Sequence, residues 1–418
     1  MVFSMFSKQA SPILADFGSA SVKLLQVSSG EKPTATAAAE LMLPDDLRGQ
    51  TIERKFEYFA KELPKVISEN GFKGKRVVVS PMSGQMLVQH MQIGSGESPV
   101  DAIRAQLAAQ LNIDTSGVVI RSEPMHDTPN AGGKSEHIAF AIARDDVMRY
   151  VDLFKRMRMQ VVAVHNEVQA MLHAFDHINR RNGDENVSTL YVDLGWGSTK
   201  VAIGHGTRLV FAKCIAIGGR HFDQTVAQMF KCDLTAARMR RMSEDLLPLR
   251  QAPAQTQQKQ SSSEGGLAIL SAGMAQAQAD ARLESVHAEV ALEDDRRDIS
   301  AEPKALGQSV PTTGSQPQAS GDYGELLESL ADELSMCVRY HTACFPGRAI
   351  DRVVFLGGEA RQIGLCQFLA ESLHTAAKSG DPLSRLLGPT PPAGLPDSGL
   401  SHPSWAVVCG LASAPLDL

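Results

Sequence analysis

Two stretches of this sequence set an aspartate at the end of an apolar run, a glycine two residues later and a lysine after that. They read Ile13-Leu-Ala-Asp16-Phe-Gly18-Ser19-Ala-Ser21-Val-Lys23 and Leu190-Tyr-Val-Asp193-Leu-Gly195-Trp-Gly197-Ser198-Thr199-Lys200. Glycine lets a chain turn so sharply that successive backbone N–H groups face one way, and such an array binds anions. The hydroxyls of Ser19, Ser21, Ser198 and Thr199 add donors at the same place. Asp16 and Asp193, at the strand ends, suit a magnesium ion held mostly through its own waters, because magnesium gives up its hydration shell reluctantly. The chemistry this pattern serves is the clamping of a nucleoside triphosphate between two hairpins. A lone Asp-x-Gly between strands is ordinarily just a hairpin. Two copies, joined by a third strand that runs into Gly357-Gly358, carry the functional reading.

The elements that must position these loops are strands. Each loop lies between two short apolar runs, the pattern of strand, tight turn, strand. The repeat, with 177 residues from Asp16 to Asp193, is too long for a solenoid and fits a duplicated domain. Between the copies the sequence predicts a small α+β insertion at about 76–160: strands at 76–81, 87–93, 118–123 and 137–143, an amphipathic helix over 99–111, and a second over 145–157 with Asp145 as its cap. Met148, Val151, Phe154 and Met157 form an apolar stripe on that helix and are expected in the core. Residues 352–359 read as a buried strand and Gly-Gly turn, followed by a helix over 363–377. From about 247 to 321 the chain turns rich in Gln, Ser, Ala and Pro, a composition that buries too little apolar surface to offset chain entropy, so a disordered insertion is expected there.

Composition narrows the function classes. With 418 residues and 43% hydrophobic content there is material for two domains; at 5% aromatic, the cores must be aliphatic. A net charge of −6 argues against a general nucleic-acid binder. No apolar run is long enough to span a bilayer, and residues 1–8 lack the apolar core of a secretory signal. Six scattered cysteines without a CxxC pair fit reduced thiols, and the cytoplasm is the expected compartment.

With these motifs in hand, the chain resembles the actin, hexokinase and heat-shock-chaperone ATPase superfamily. Within it, it is similar to the PilM family of type IV pilus assembly, relatives of the division protein FtsA. Asp16 to Lys23 looks like the first phosphate loop and Asp193 to Thr199 the second. Ile217-Gly218-Gly219-Arg-His-Phe-Asp223 is similar to the segment entering a helix at the nucleotide, and Phe355-Leu-Gly357-Gly358-Glu359 to the adenosine motif. His165-Asn-Glu167 is similar to the start of the connecting helix, whose acidic residue sits near magnesium and implies a catalytic role for Glu167. The resemblance implies an α/β, two-lobed actin-like ATPase fold of duplicated RNase H-like subdomains with a small α+β insertion subdomain. The lobes would span 10–165 and 166–415. It further implies ATP and magnesium as cofactors, held by Asp16, Gly18, Ser19, Ser21, Lys23, Asp193, Gly195, Gly197, Ser198, Thr199, Gly218, Gly219, Gly357 and Gly358. The partner it implies is the cytoplasmic tail of a PilN-like membrane protein, placing the chain at the cytoplasmic face of the inner membrane; homo-oligomerisation stays open, as does weak ATPase activity.

One departure stands out. Where the family has an acidic residue and a lysine near the ribose and base, this chain has Ala236-Ala237-Arg238-Met-Arg240, so Ala237 offers no acceptor and Arg240 is left to supply the cation. The run Arg238, Arg240, Arg241 otherwise reads as a solvated helix face, and His221 as a surface or capping residue. Two rival readings are a filament-forming, FtsA-like division protein and a sugar-kinase-like phosphotransferase. The final residues Ala412 to Leu418 do not form the amphipathic membrane helix expected of the first, and no Asn-Asp-type substrate segment supports the second.

Overall fold

The computed structural model describes residues 10–30, 32–112, 114–125, 133–244, 323–362, 364–396 and 400–414; the insertion expected at 247–321 lies outside them. The described residues fall within one unit, 1–250 and 309–418, and a second unit, 251–308, contains none of them.

The first Asp-x-Gly loop joins β1 (Ile13–Phe17) to β2 (Ser21–Val27), and β3 (Ala35–Met42) follows on the far side of β2. After α1 (Asp45–Arg48) and α2 (Ile52–Glu69), β4 (Arg76–Ser80) returns parallel to β1. Next come β5 (Met86–Ile93), α3 (Pro99–Leu111), β6 (Val118–Pro124), β7 (Ser135–Ala143), α4 (Arg144–Arg156) and β8 (Gln160–Val164). The sheet order is β3-β2-β1-β4-β8.

The second half repeats the design. Helix α5 (Glu167–His173) leads to β9 (Ser188–Leu194), β10 (Thr199–His205) and β11 (Arg208–Ile215), then to α6 (Gly219–Phe230) and α7 (Leu234–Ser243). The chain resumes with α8 (Tyr323–Cys344), β12 (Arg352–Leu356), α9 (Leu365–Leu373), β13 (Ala377–Ser379) and α10 (Ala406–Leu411). Its sheet runs β11-β10-β9-β12-β13, with β9–β10 antiparallel and β9–β12 parallel, matching the first sheet pair by pair. Helices cover both faces of each sheet, so every residue of β1, β2, β9 and β10 is buried. That burial is why the apolar residues of these strands fall on both faces instead of alternating with solvent-facing ones.

The insertion is narrower than 76–160. Its three-stranded sheet, β5-β7-β6, begins at Met86 and ends at Ala143; β4 and β8 pair with each other inside the main sheet, and α4 packs on β8. Short parallel strands in a covered sheet have the same composition as insertion strands, so the sequence could not assign them to a sheet. The cap of α4 is Ala143, with Asp145 and Asp146 inside its first turn, where they favour the helix dipole. On that helix Tyr150, Leu153 and Phe154 are buried whereas Met148 is exposed, a correction to the expected stripe.

Candidate functional site

The hairpin register does the first part of the work. Asp16 lies opposite Lys23 across β1–β2, and Asp193 lies opposite Lys200 across β9–β10. Each sheet thus presents one buried aspartate and one buried lysine at the end where its glycine turn projects. The turns meet: Gly197 N–H donates to Ser19 Oγ at 3.0 Å. Two expected glycine sites are explained by close approach. A Cβ on Gly218 would fall 2.5 Å from Ser198 N, and Gly357, in the left-handed region at φ 87°, passes directly beside the Asp193 carboxylate. Gly219 packs against the Glu359 carboxylate, while Gly358 faces open space.

Lys200 is the centre of the charge arrangement. Its Nζ lies 3.1 Å from Asp193 Oδ2 and 3.3 Å from Glu167 Oε2, and Ser83 Oγ donates to the same Glu167 oxygen at 2.9 Å. Lys23 donates to Ser21 Oγ at 2.9 Å and sits 3.3 Å from Glu40, which also accepts from Ser21 at 2.7 Å. Among the described residues the Asp16 carboxylate has no hydrogen-bond or ion-pair partner. Four carboxylates, Asp16, Glu40, Glu167 and Asp193, therefore meet two ammonium groups, Lys23 and Lys200. Among the described residues, no three His, Cys, Asp or Glu side chains group closely enough to hold a metal ion between them.

The titration behaviour follows. Burial first, and then the Glu167 and Asp193 charges, outweigh the lysines and push Asp16 up from 3.8 to about 7. Burial also raises Glu167 despite Lys200, while the Asp193 and Glu167 charges hold Lys200 above the ordinary lysine value. Because the folded-state value of Asp16 exceeds the unfolded one, its ionisation opposes folding: the penalty is absent below about pH 3.8 and complete above about pH 7. In protein stripped of divalent cations, Asp16→Asn is expected to unfold at a higher temperature than wild type, by a margin that widens as pH rises from about 4 to about 7. A margin that stays flat across that range in thermal melts would contradict the burial argument.

The arginine run departs from the expectation. Arg241 is fully buried: its guanidinium lies 2.8 Å from Asp223 Oδ1 and 2.7 Å from Glu359 Oε2, and it donates to Gln362 at 2.7 Å. Trp196, from the second glycine turn, donates to the other Asp223 oxygen at 3.0 Å. Arg238 reaches Glu359 at 3.4 Å. Arg240, the residue expected to supply a cation, pairs with Glu244 at 2.8 Å and stacks on Phe230. Ala237 is buried, one turn before Arg241 on the same face of α7. Helix phase explains the exchange, since only every third or fourth residue of α7 can face the turns. His221 caps α6 as expected, accepting from Gly218 N–H at 3.0 Å.

Sequence reasoning missed Lys200, Asp223, Arg241 and Glu359. For Lys200 a signal was present: each aspartate is followed seven residues later by a lysine, Asp16 by Lys23 and Asp193 by Lys200. No such signal exists for the buried Asp223–Arg241–Glu359 group, which joins three distant segments.

A family model described as type IV pilus assembly protein PilM matches residues 15–249, more than half of the chain. The chain belongs to the PilM family. Among solved structures, it is similar to the PilM–PilN type IV pilus biogenesis complex, with a TM-score of 0.67 and 16% identity over 97% of this chain and 98% of that one. That likeness establishes the actin-like fold expected from the two hairpins. Weaker likenesses are to the ethanolamine utilization protein EutJ from Carboxydothermus hydrogenoformans (TM-score 0.45, 11% identity, 97% and 93% covered) and MreB5 of Spiroplasma citri (TM-score 0.45, 11% identity, 97% and 96% covered). No curated protein sequence gives a match. No helix among the described residues of this PilM-family chain is long and apolar enough to cross a membrane.

Proposed function

We propose that this PilM-family protein is an ATP- and magnesium-binding scaffold of type IV pilus assembly, acting at the cytoplasmic face of the inner membrane by holding the cytoplasmic tail of a PilN-like protein. The observation that carries the nucleotide reading is the meeting of the two glycine turns at Ser19 and Gly197 over four carboxylates and two lysines. In this reading Asp16 and Asp193 hold hydrated magnesium, which would neutralise phosphate charge. The turns, with Ser19, Ser21, Ser198 and Thr199, bind the phosphates. Glu167 orients water in this reading, with binding and assembly as the main role and hydrolysis slow or conditional.

The tail site is assigned to the insertion, by addition of an extended peptide to a sheet edge. Strand β7 is paired on both sides and offers no edge. The opposite edge strand β5 leans on β11, where His90 Nε2 bonds Ala212 O at 3.1 Å. The outer edge of β6 is the one left, and it carries the exposed Arg121.

A two-armed binding experiment tests both halves. Asp193→Ala is expected to lower magnesium-dependent ATP affinity at least 100-fold, on the order of 3 kcal/mol. It should change affinity for a PilN-like tail peptide by no more than about 150-fold, the usual range of coupling between sites. Arg121→Glu should weaken the tail at least tenfold, about 1.4 kcal/mol, and leave ATP binding alone. Calorimetry showing unchanged ATP binding in Asp193→Ala sinks the first half; a tail that binds Arg121→Glu like wild type sinks the second.

A further inference from the structure

Two neighbouring turns of the first lobe concentrate positive charge in an otherwise acidic chain. The α2–β4 turn, residues 71–76, contains Lys73, Lys75 and Arg76; the α4–β8 turn, residues 155–160, contains Lys155, Arg156 and Arg158. Half of these twelve residues are cationic and none is acidic, although the whole chain carries −6. The turns are held side by side, since Gln160 N–H donates to Lys75 O at 2.7 Å as β8 enters the sheet beside β4. All but Arg76 of the six are exposed, and among the described residues none of the six has a carboxylate within ion-pair distance. The two nearest carboxylates in sequence, Glu69 and Asp152, pair with none of them.

The patch surrounds a formed concavity. A cavity of about 450 Å³ opens between the turns, lined by Ala10, Gly74, Lys75, Arg76, Arg158 and Gln160 among others. Arg76 Nη2 donates to Ala10 O at 3.1 Å, but its Nε is buried without a hydrogen-bond partner. Such a donor is ordinarily paired, and its absence of a partner marks a place for an acceptor. The first turn is fixed from below by buried Gln26, whose side chain accepts from Lys73 N–H at 2.9 Å and donates to Lys73 O at 2.6 Å and to Ser11 O at 2.7 Å. The cations are thus mounted on a preorganised base.

We infer that this end of the lobe docks on an anionic membrane surface, with one phosphate headgroup in the cavity beside Arg76 and the other cations facing neighbouring headgroups. The shared chemistry is phosphate, which a free anion could also supply. One feature favours the lipid: the charge spreads over two turns, far beyond what one small ion would touch, and complements an anionic headgroup layer. This site is independent of the nucleotide cleft.

The test is co-sedimentation of the full chain with vesicles of phosphatidylglycerol and phosphatidylethanolamine, against vesicles of phosphatidylcholine alone. Wild type should partition onto the anionic vesicles only, and salt should release it. Each basic residue near an anionic leaflet adds about fivefold to partitioning. Lys75→Ala with Arg158→Ala should therefore weaken it about 25-fold, while Lys378→Ala, an exposed lysine on β13, should not. Equal partitioning of wild type and the double variant overturns the inference. So does failure of wild type to bind anionic vesicles; a thermal shift with inorganic phosphate that the double variant loses would then reassign the cavity to a free anion.

Discussion

Gly410→Ala is expected to destabilise the protein by at least about 3 kcal/mol, in spite of alanine's better helix propensity. Gly410 lies in α10, which packs on α5 more closely than on any other element. A Cβ built there would fall inside the Ala170 carbonyl group of α5, and a backbone carbonyl cannot move aside as a side chain can. The helices would have to separate. Helix α5 runs from the end of the first sheet toward the second, and begins at Glu167 of the candidate site. Helix α10 also touches β1, β2 and β4. Separation should therefore loosen the link between the lobes as well as the core, weakening ATP binding along with stability. Gly49→Ala, where the added Cβ meets nothing within 4 Å, is the matched control and should be nearly neutral. Denaturant titration of the two variants decides the matter: if Gly410→Ala unfolds with wild-type ΔG, the crossing is not as tight as described.

Lys200→Met should cost about 3–5 kcal/mol at neutral pH and remove nucleotide binding. The ammonium is buried with Asp193 and Glu167, and Asp16 lies in the same field. Methionine fills the space but leaves buried carboxylates without their cation. The folded-state values of Asp16 and Glu167 would rise further above the unfolded ones, so the penalty is absent at pH values below the ordinary 3.8 and 4.5 of Asp and Glu and grows as pH climbs. The destabilisation should thus nearly vanish at about pH 4 and be largest above about pH 7. A deficit that is independent of pH would mean that lost packing, not charge, accounts for it. Lys200→Arg keeps the charge and should recover most of the stability, though its planar fork need not fit the same two carboxylates.

Much of the site is legible in the residues themselves. The strands flanking Asp16 and Asp193 lie in covered sheets, so their sequences are predominantly apolar on both faces, and the turns between them carry glycine. Local chemistry of that kind is written residue by residue, and its duplication indicates two similar halves. The same locality makes His221 readable as a cap.

The amino-acid order alone therefore specifies the pair of hairpins, the residues at their tips and the actin-like class they imply. The assignment of strands to sheets comes from the folded chain: β4 and β8 join the main sheet and β7 the centre of the insertion, because hydrogen bonding to a neighbour is not recorded in a strand's own composition. Folding likewise turns Arg241 inward and Arg240 outward on α7, since the helix's rotation is set by Asp223 and Glu359, brought to it from other parts of the chain. And it brings Glu167, at the start of α5, to Lys200, whose pairing with Asp193 follows from the hairpin register; the contact joins two separate segments and neither specifies it alone.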